Sequence, residues 1–289
     1  MDRKEKSVKN HLSGDRFAEI KGRVIEFAQK EESVRAVIAI GSSVRAETPA
    51  DEYSDLDLIV VTKAPEPWFS GEIPVRFGKA RISFIEPTLG GGMERRYIYD
   101  SDKDVDFIIL TPEQFGQALR EGVAGWVMNR GYRMLYDPDG YAVQAENYVK
   151  PVISAPEMSE EAFINLVSDF FFHNIWSCKK LRRGELWSAK MCIDAYLKYA
   201  LLRMIEQYRL VSGTDDVWHD GRFLDRWADS GVLEELKECF AHYDAADCFR
   251  ALQVTHRLFA RLAATVAEKR GYSYPADAEA CAAEYLKLK

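Results

Sequence analysis

Two aspartates separated by a single residue, Asp55 and Asp57, are the side chains of this chain best suited to chemistry. They stand at the start of an apolar run, and because side chains alternate along a strand, both project from the same face of it. Two carboxylates held side by side repel each other, so a partner cation is expected. The pair Gly41-Ser42 ends the preceding apolar run and offers backbone N–H groups and a hydroxyl, which suit a phosphate. This combination predicts a site for metal-dependent nucleotidyl transfer.

A third acid, Asp106, lies inside an otherwise apolar strand pattern at residues 105–110. A charge in such a strand is costly unless it meets a cation or takes part in proton transfer. Mg²⁺ prefers carboxylates together with phosphate oxygens and water, and it neutralises charge on a triphosphate. We therefore predict that Asp55, Asp57 and Asp106 are the catalytic, Mg²⁺-binding acids. The residues leave open whether Asp106 is a metal ligand or the general base.

The elements that must position these acids alternate between helix and strand in the first half of the chain. Apolar residues at helical spacing predict a helix between Asp15 and Lys30, and Thr111-Pro112-Glu113 has the composition of a helix start. The run Gly90-Gly91-Gly92 is interpreted as a loop, because no strand-to-helix pattern surrounds it. Strands are predicted at Ala36–Ile40, Leu56–Thr62, Ile73–Phe77, Arg81–Ile85 and Val105–Leu110, and a short segment at Arg133–Tyr136 ends in a turn signal.

After Pro151 the pattern becomes helical throughout. We predict an α+β protein with two domains: a mixed β-sheet domain with flanking helices at residues 1–150, and an α-helical bundle at residues 151–289. The helices are predicted at Glu160–Leu181, Leu186–Leu210, Gly221–Trp227, Val232–Ala241, Ala245–Lys269 and Ala276–Leu286.

Composition excludes several classes of protein. The chain has 289 residues, enough for two cores, and no apolar run approaches the roughly 18 residues that span a membrane. The polar N-terminus lacks the apolar core of a signal peptide, so a cytoplasmic location without a membrane partner is expected. Five cysteines without a CxxC pair indicate neither a disulfide framework nor a zinc site. A net charge of −7 argues against nucleic acid as a partner.

Three segments together carry a family resemblance. They are the GS…PxDxxxDxD block at residues 41–57, the acidic strand around Asp106, and the segment KKLRRGEL at residues 179–186 in the helical half. On these segments the chain resembles the aminoglycoside 6-adenylyltransferase (streptomycin adenylyltransferase) family of the nucleotidyltransferase superfamily. The resemblance runs from the first helix to the C-terminus. It implies a nucleotidyltransferase-type sheet domain followed by a helical substrate-binding domain.

The resemblance implies transfer of AMP from ATP to a hydroxyl of a streptomycin-like aminoglycoside, with release of pyrophosphate and resistance to the antibiotic. Mg·ATP would bind in a cleft between the two domains. Gly41 and Ser42 would contact the phosphates, and Lys179 would reach the triphosphate from the helical half. Glu185 would help to form an acidic wall for the aminoglycoside. The partners would be small molecules only, and the protein would be a monomer or a weak dimer.

Some positions and roles stay open. Lys180 or Arg182 could take the role of Lys179. Family members commonly carry Gly-Ser-Arg, whereas this chain has Ser43 there, and Arg45 is the candidate to replace that guanidinium at the phosphates. Two other functions remain open: nucleotidyl transfer to a different small-molecule or protein hydroxyl, and a non-catalytic nucleotide-binding module.

Overall fold

The computed structural model of the protein describes residues 15–45, 47–88, 92–150, 157–213 and 217–288. The chain divides into two compact units, residues 1–152 and residues 153–289, and each has its own hydrophobic core. The described part of the first unit is a mixed β-sheet with helices, and that of the second is helical. The predicted α+β class is confirmed. Gly90 and Gly91 of the predicted glycine loop lie outside the described residues.

The sheet of the first unit has six strands. They are β1 (Val34–Ile40), β2 (Leu56–Thr62), β3 (Ala80–Pro87), β4 (Met93–Tyr99), β5 (Lys103–Leu110) and β6 (Arg133–Tyr136). Their order across the sheet is β3-β4-β5-β2-β1-β6. The central pair β2–β5 is parallel, and the other neighbours are antiparallel. Strand β2 is rich in β-branched residues and is buried on both faces, as expected at the centre of such a sheet.

Helices cover both faces of this sheet. In the described residues of this unit they are α1 (Ala18–Lys30), α2 (Glu66–Phe69), α3 (Pro112–Arg120), α4 (Val123–Met128) and α5 (Tyr141–Tyr148). One face of the sheet packs against α1 and a cluster of aromatic rings, in which Phe107 lies 5.7 Å from Trp68 and 5.8 Å from Phe77 between ring centroids. The other face packs against α3, α4 and α5.

The predicted start of α3 is confirmed in detail. Thr111 is the N-cap, and its hydroxyl accepts a hydrogen bond from the backbone N–H of Gln114 at 3.2 Å. The Gln114 side chain accepts in return from the backbone N–H of Thr111 at 2.8 Å, which completes a capping box. Pro112 occupies the first helical position, where a missing N–H costs nothing.

The structure differs from the predicted strands at two places. Ile73–Phe77 is not a strand but contains a 3₁₀ turn at Pro74–Arg76. Ile73 and Phe77 are both buried, and a separation of four residues allows this on one side of a helical turn as well as on one face of a strand. Pro74 at the first position of the turn lacks the N–H that a strand would use in its ladder. The second failure is an omission, since β4 was not predicted. It alternates buried Tyr97 and Tyr99 with charged or partly exposed residues, so it lacks a continuous apolar run.

The second unit contains seven α-helices in its described residues. They are α6 (Glu160–Arg182), α7 (Leu186–Met191), α8 (Leu197–Val211), α9 (Leu224–Trp227), α10 (Ser230–Glu238), α11 (Ala245–Arg270) and α12 (Ala276–Tyr285). Ser159 caps α6, because its hydroxyl accepts a hydrogen bond from the backbone N–H of Ala162. At the centre of the core Phe170 of α6 stacks on Phe259 of α11, with ring centroids 3.6 Å apart.

The helix predicted as continuous over residues 186–210 is interrupted. A π-helical turn at Cys192–Tyr196 separates α7 from α8. Lys198 donates to the carbonyl of Ile193 at 2.8 Å and so satisfies a backbone group at this irregularity. Four of the five cysteines are buried and all five are free thiols. None of the helices in the described part of the chain is long and apolar enough to cross a membrane.

Candidate active site

The parallel pairing of β2 with β5 brings the three predicted acids together. Asp57 is the register partner of Asp106, and Asp55 lies just before β2 begins. Oxygen atoms from the three carboxylates all lie within 4.8 Å of one another. Asp106 is buried, whereas Asp55 and Asp57 are partly exposed. An all-carboxylate set with open access matches the oxygen ligands that Mg²⁺ takes in proteins, so the residues present fit that ion.

Arg96 of β4 holds the buried member of this trio. Its Nε donates to Oδ1 of Asp106 at 2.8 Å, and its Nη2 lies 2.6 Å from Oδ2, which makes a bidentate pair. A third nitrogen, Nη1, donates to Glu86 of β3 at 3.0 Å. The guanidinium therefore joins three neighbouring strands, and it fixes the rotamer of Asp106.

The charge around Asp106 is still unbalanced toward acid. Burial raises the pKa of Asp106 to about 6 although Arg96 opposes the shift, and Asp104 and Asp55 raise it further. Burial and the charge of Asp106 also raise the pKa of Glu94 on β4 to about 7. Acids whose pKa values rise in this way gain from a nearby cation, which is the condition that a divalent metal would meet.

Gly41 brings the chain close to Asp57. It begins a 3₁₀ turn at Gly41–Ser43 and has φ = 68°, in the left-handed region that favours glycine. A Cβ on Gly41 would lie 2.2 Å from Oδ2 of Asp57, far inside van der Waals contact. Glycine is therefore required both by the backbone conformation and by the carboxylate beside it.

Ser42 follows with its side chain directed inward. It is 7% exposed, and within the described residues its hydroxyl has no hydrogen-bond partner. An unsatisfied buried hydroxyl is costly, so its capacity is free for a ligand oxygen. Nearby, Nε of Arg45 donates to the carbonyl of Thr48 at 2.9 Å.

A cavity of about 1070 Å³ opens beside this turn. Ser42, Ser43 and Arg45 line it, so two of the predicted phosphate contacts share one space. Its walls come from the start of α1, the loop after β1, and the β4–β5 turn. The lining residues are Asp15, Arg16, Phe17, Lys21, Ser42, Ser43, Val44, Arg45, Pro49, Ala50, Asp51, Glu52, Tyr53, Ile98, Asp102, Asp104 and Arg133.

The two predicted residues of the helical unit have partners within that unit. Lys179, in the last turn of α6, places its ammonium 5.8 Å from the centroid of the Tyr285 ring. Glu185 accepts a hydrogen bond from Lys180 at 2.5 Å and pairs with Arg183 at 2.8 Å. The hydrogen bond from Lys180 is the main cause that lowers the pKa of Glu185. The roles of Lys179 and Glu185 toward nucleotide and acceptor stay predictions.

Sequence reasoning missed the residues around the acids on β3 and β4, above all Arg96, Glu86 and Glu94. All three belong to the β3–β4 ladder, where Glu86 is the register partner of Glu94. The available signal was the period-two pattern in which Tyr97 and Tyr99 alternate with Arg96 and Ile98.

The structure brings together the carboxylate trio on adjacent parallel strands and the Gly-Ser turn that the sequence predicted for nucleotidyl transfer. The family model described as streptomycin adenylyltransferase matches residues 16–288. The chain belongs to this family, and the protein is a nucleotidyltransferase enzyme.

Individual relatives are more distant. The aminoglycoside 6-adenylyltransferase of Bacillus subtilis (strain 168) is 22% identical over 269 residues, which cover 87% of this chain and 90% of that protein. A crystal structure of an aminoglycoside 6-adenyltransferase from Bacillus subtilis aligns with a TM-score of 0.41 and 17% identity, covering 93% of this chain and 96% of that one. A nucleotidyltransferase-like protein from Exiguobacterium sibiricum aligns with a TM-score of 0.35 and 14% identity, covering 85% and 74%.

Proposed function

We propose that the protein transfers AMP from ATP to a hydroxyl of an aminoglycoside in a Mg²⁺-dependent reaction. The observation that supports this most directly is the convergence of Asp55, Asp57 and Asp106 within 4.8 Å beside Ser42. Family membership supports ATP as the adenylyl donor, and the name of the Bacillus subtilis relative supports an aminoglycoside as the acceptor.

In this proposal, each residue of the first unit has a defined task. Asp55, Asp57 and Asp106 would hold the metal, which supplies neutralisation of the triphosphate charge when bound. The Ser42 hydroxyl and the Gly41 backbone bind phosphate oxygens, and Arg45 adds a cation on the wall of the same cavity. These groups act mainly by positioning and charge compensation.

The reaction forms one bond and breaks one. The acceptor oxygen bonds to the α-phosphorus, the bond from that phosphorus to the bridging oxygen of the β-phosphate breaks, and pyrophosphate leaves. The proton of the acceptor hydroxyl goes to a carboxylate of the site. A carboxylate that binds the metal is a weaker base, so Asp106 would take this proton only if Asp55 and Asp57 hold the metal without it.

A polycationic acceptor suits the sheet face that carries the trio. Glu86 and Glu94 lie on the same face of the strands next to Asp106, because alternate residues share a face. Lys179 would contact the triphosphate and Glu185 the acceptor, as the family resemblance implies. We also propose that the protein is a monomer or a weak dimer. The five free thiols fit the reducing cytoplasm as the site of action.

The experiment is an assay of pyrophosphate release from Mg·ATP across a panel of aminoglycosides, with streptomycin included. Turnover with one or more members, and AMP found on the product by mass spectrometry, would support the proposal. If every aminoglycoside is inert while another hydroxyl compound turns over, then the acceptor class is wrong and the nucleotidyl transfer stands. If the protein binds ATP but never releases pyrophosphate with any acceptor, then the non-catalytic alternative holds. Expression in a sensitive bacterium tests whether the activity gives resistance.

A further inference from the structure

Two buried donors belong to the lining of the cavity beside Ser42, and we call them its floor. Among the polar lining residues only Ser42 and Lys21 are buried, at 7% and 3% exposure. Five acids also line this cavity: Asp51, Glu52 and Asp102 are exposed, and Asp15 and Asp104 are partly exposed. The buried polar groups of the lining are therefore a hydroxyl and an ammonium.

Lys21 reaches this floor because of how α1 packs. Ile20 and Val24 of the helix belong to the same apolar cluster as Val37 and Ala39 of β1. Lys21 lies in the first turn of α1, and it lines the same cavity as the turn that follows β1. The N-terminal end of a 13-residue helix thus opens toward the Gly41–Ser43 turn, and this end favours negative charge.

The Lys21 ammonium is only partly satisfied. It donates to Oδ2 of Asp15 at 2.7 Å, and this is its one hydrogen bond within the described residues. Oδ1 of Asp15 accepts in turn from the backbone N–H of Phe17 at 2.8 Å, which fixes the carboxylate at the helix start. An ammonium has three donors, so two remain for a ligand. A buried charge with spare donors is expensive unless something else binds it.

We propose that Lys21 is a further phosphate-binding residue of this enzyme, and that with Ser42 it binds the triphosphate of the nucleotide. This inference rests on the proposed function, since it assumes a nucleoside triphosphate as donor. Asp15 keeps the ammonium in place, and the phosphate oxygens take its two remaining donors. The alternative is that Lys21 only ties Asp15 to the helix and takes no part in binding.

The test measures binding of Mg·ATP, inorganic tripolyphosphate and adenosine to the full chain by isothermal titration calorimetry. A hydrogen bond to a charged group is lost in Lys21→Met, so affinity for ATP and for tripolyphosphate falls about 10- to 100-fold. Adenosine has no phosphate, so its affinity stays the same. Lys21→Arg keeps the charge and recovers part of the loss. The matched control is Lys30→Met, which removes an exposed lysine from the last turn of the same helix.

Asp15→Asn separates binding from structure. Asparagine keeps an acceptor oxygen for the ammonium but has no negative charge, so if Lys21 binds phosphate, tripolyphosphate binds Asp15→Asn more tightly. If Lys21 only holds Asp15 at the helix start, Asp15→Asn and Lys21→Met have the same effect. In both variants the affinities for all three ligands fall, and the thermal midpoint of unfolding falls with them. That result overturns the inference, and so does unchanged ATP affinity in folded Lys21→Met. A wild-type protein that binds neither ATP nor tripolyphosphate overturns the proposed function instead.

Discussion

Asp55 and Asp57 are the two partly exposed members of the carboxylate trio. Asp55→Asn and Asp57→Asn each keep the shape of the side chain but remove a charged ligand oxygen. We expect kcat to fall by roughly 10²-fold or more in each variant while the far-ultraviolet circular dichroism stays the same. Steady-state pyrophosphate release measures the loss.

The matched control for these variants is Glu113→Gln, which changes an acid in the first turn of α3 away from the trio. It should turn over at the wild-type rate. Full activity in both Asp55→Asn and Asp57→Asn would contradict the metal assignment.

The pairing of Arg96 with Asp106 predicts a pH dependence. Metal ligands must be deprotonated, and the pKa of Asp106 is raised to about 6, so Mg²⁺ affinity should weaken about tenfold per pH unit below that value. Arg96 lowers this pKa by its hydrogen bond and its charge. Arg96→Met therefore keeps Asp106 protonated to higher pH, and the pH below which Mg²⁺ affinity falls becomes higher. Mg²⁺ titrations between pH 5 and pH 8 follow the shift.

Arg95→Met is the control for this measurement, because Arg95 points to the opposite face of β4 and donates to the carbonyl of Phe69. Its pH profile should coincide with that of the wild type. An Arg96→Met profile that also coincides would show that the guanidinium does not set the charge of Asp106.

At the level of turns and strands, Gly41 links backbone conformation to the site. Gly41→Ala introduces backbone strain, because φ is 68°, and a steric clash with Asp57. Gly140→Ala introduces only the backbone strain, at a φ of 79°, because open space surrounds that position. Both variants should lose about 1 kcal/mol of stability from backbone strain. Only Gly41→Ala should also lose roughly 10²-fold in kcat, since it displaces a ligand carboxylate.

Urea unfolding gives the free energy of unfolding of each variant, and the turnover assay gives its kcat. A Gly41→Ala enzyme with the activity of Gly140→Ala would mean that Asp57 moves aside without cost.

Which elements were predictable follows from their hydrophobic patterns. Strand β2 was predicted with its observed bounds because the apolar residues of LDLIVVT are broken only by Asp57 and include the β-branched run Ile59–Val61. Strand β4 was missed because its pattern MERRYIY places charged residues where strands usually look apolar. Those charged residues include Arg96, so the sequence identified the trio but not the side chain that holds it. Lys21 also escaped notice, because burial of one lysine on an amphipathic helix depends on the loop that covers it.

For the molecule as a whole, the separate cores predict that a core substitution in one unit lowers the stability of that unit and leaves ligand binding in the other unchanged. Phe259→Ala removes a ring stacked at 3.6 Å on Phe170 and should cost about 3–5 kcal/mol in the unfolding of the helical unit. Mg²⁺ affinity should not change, because the three acids lie in the other unit. Chemical denaturation followed by circular dichroism, together with Mg²⁺ titration, measures both.

Phe172→Ala is the control, since this ring is 63% exposed on the same helix as Phe170. Its effect should stay within about 0.5 kcal/mol. If Phe259→Ala loses as much free energy of Mg²⁺ binding as it loses free energy of unfolding, the two units fold as one.

The parallel pairing of β2 with β5 also determines when the site can exist during synthesis. Asp57 leaves the ribosome early, but its register partner Asp106 follows about fifty residues later, after β3 and β4 have been made. A nascent chain that ends before β5 holds only part of the carboxylate set. A divalent ion therefore cannot act as a template for the first strands, and its binding energy favours only chains whose central sheet is already complete.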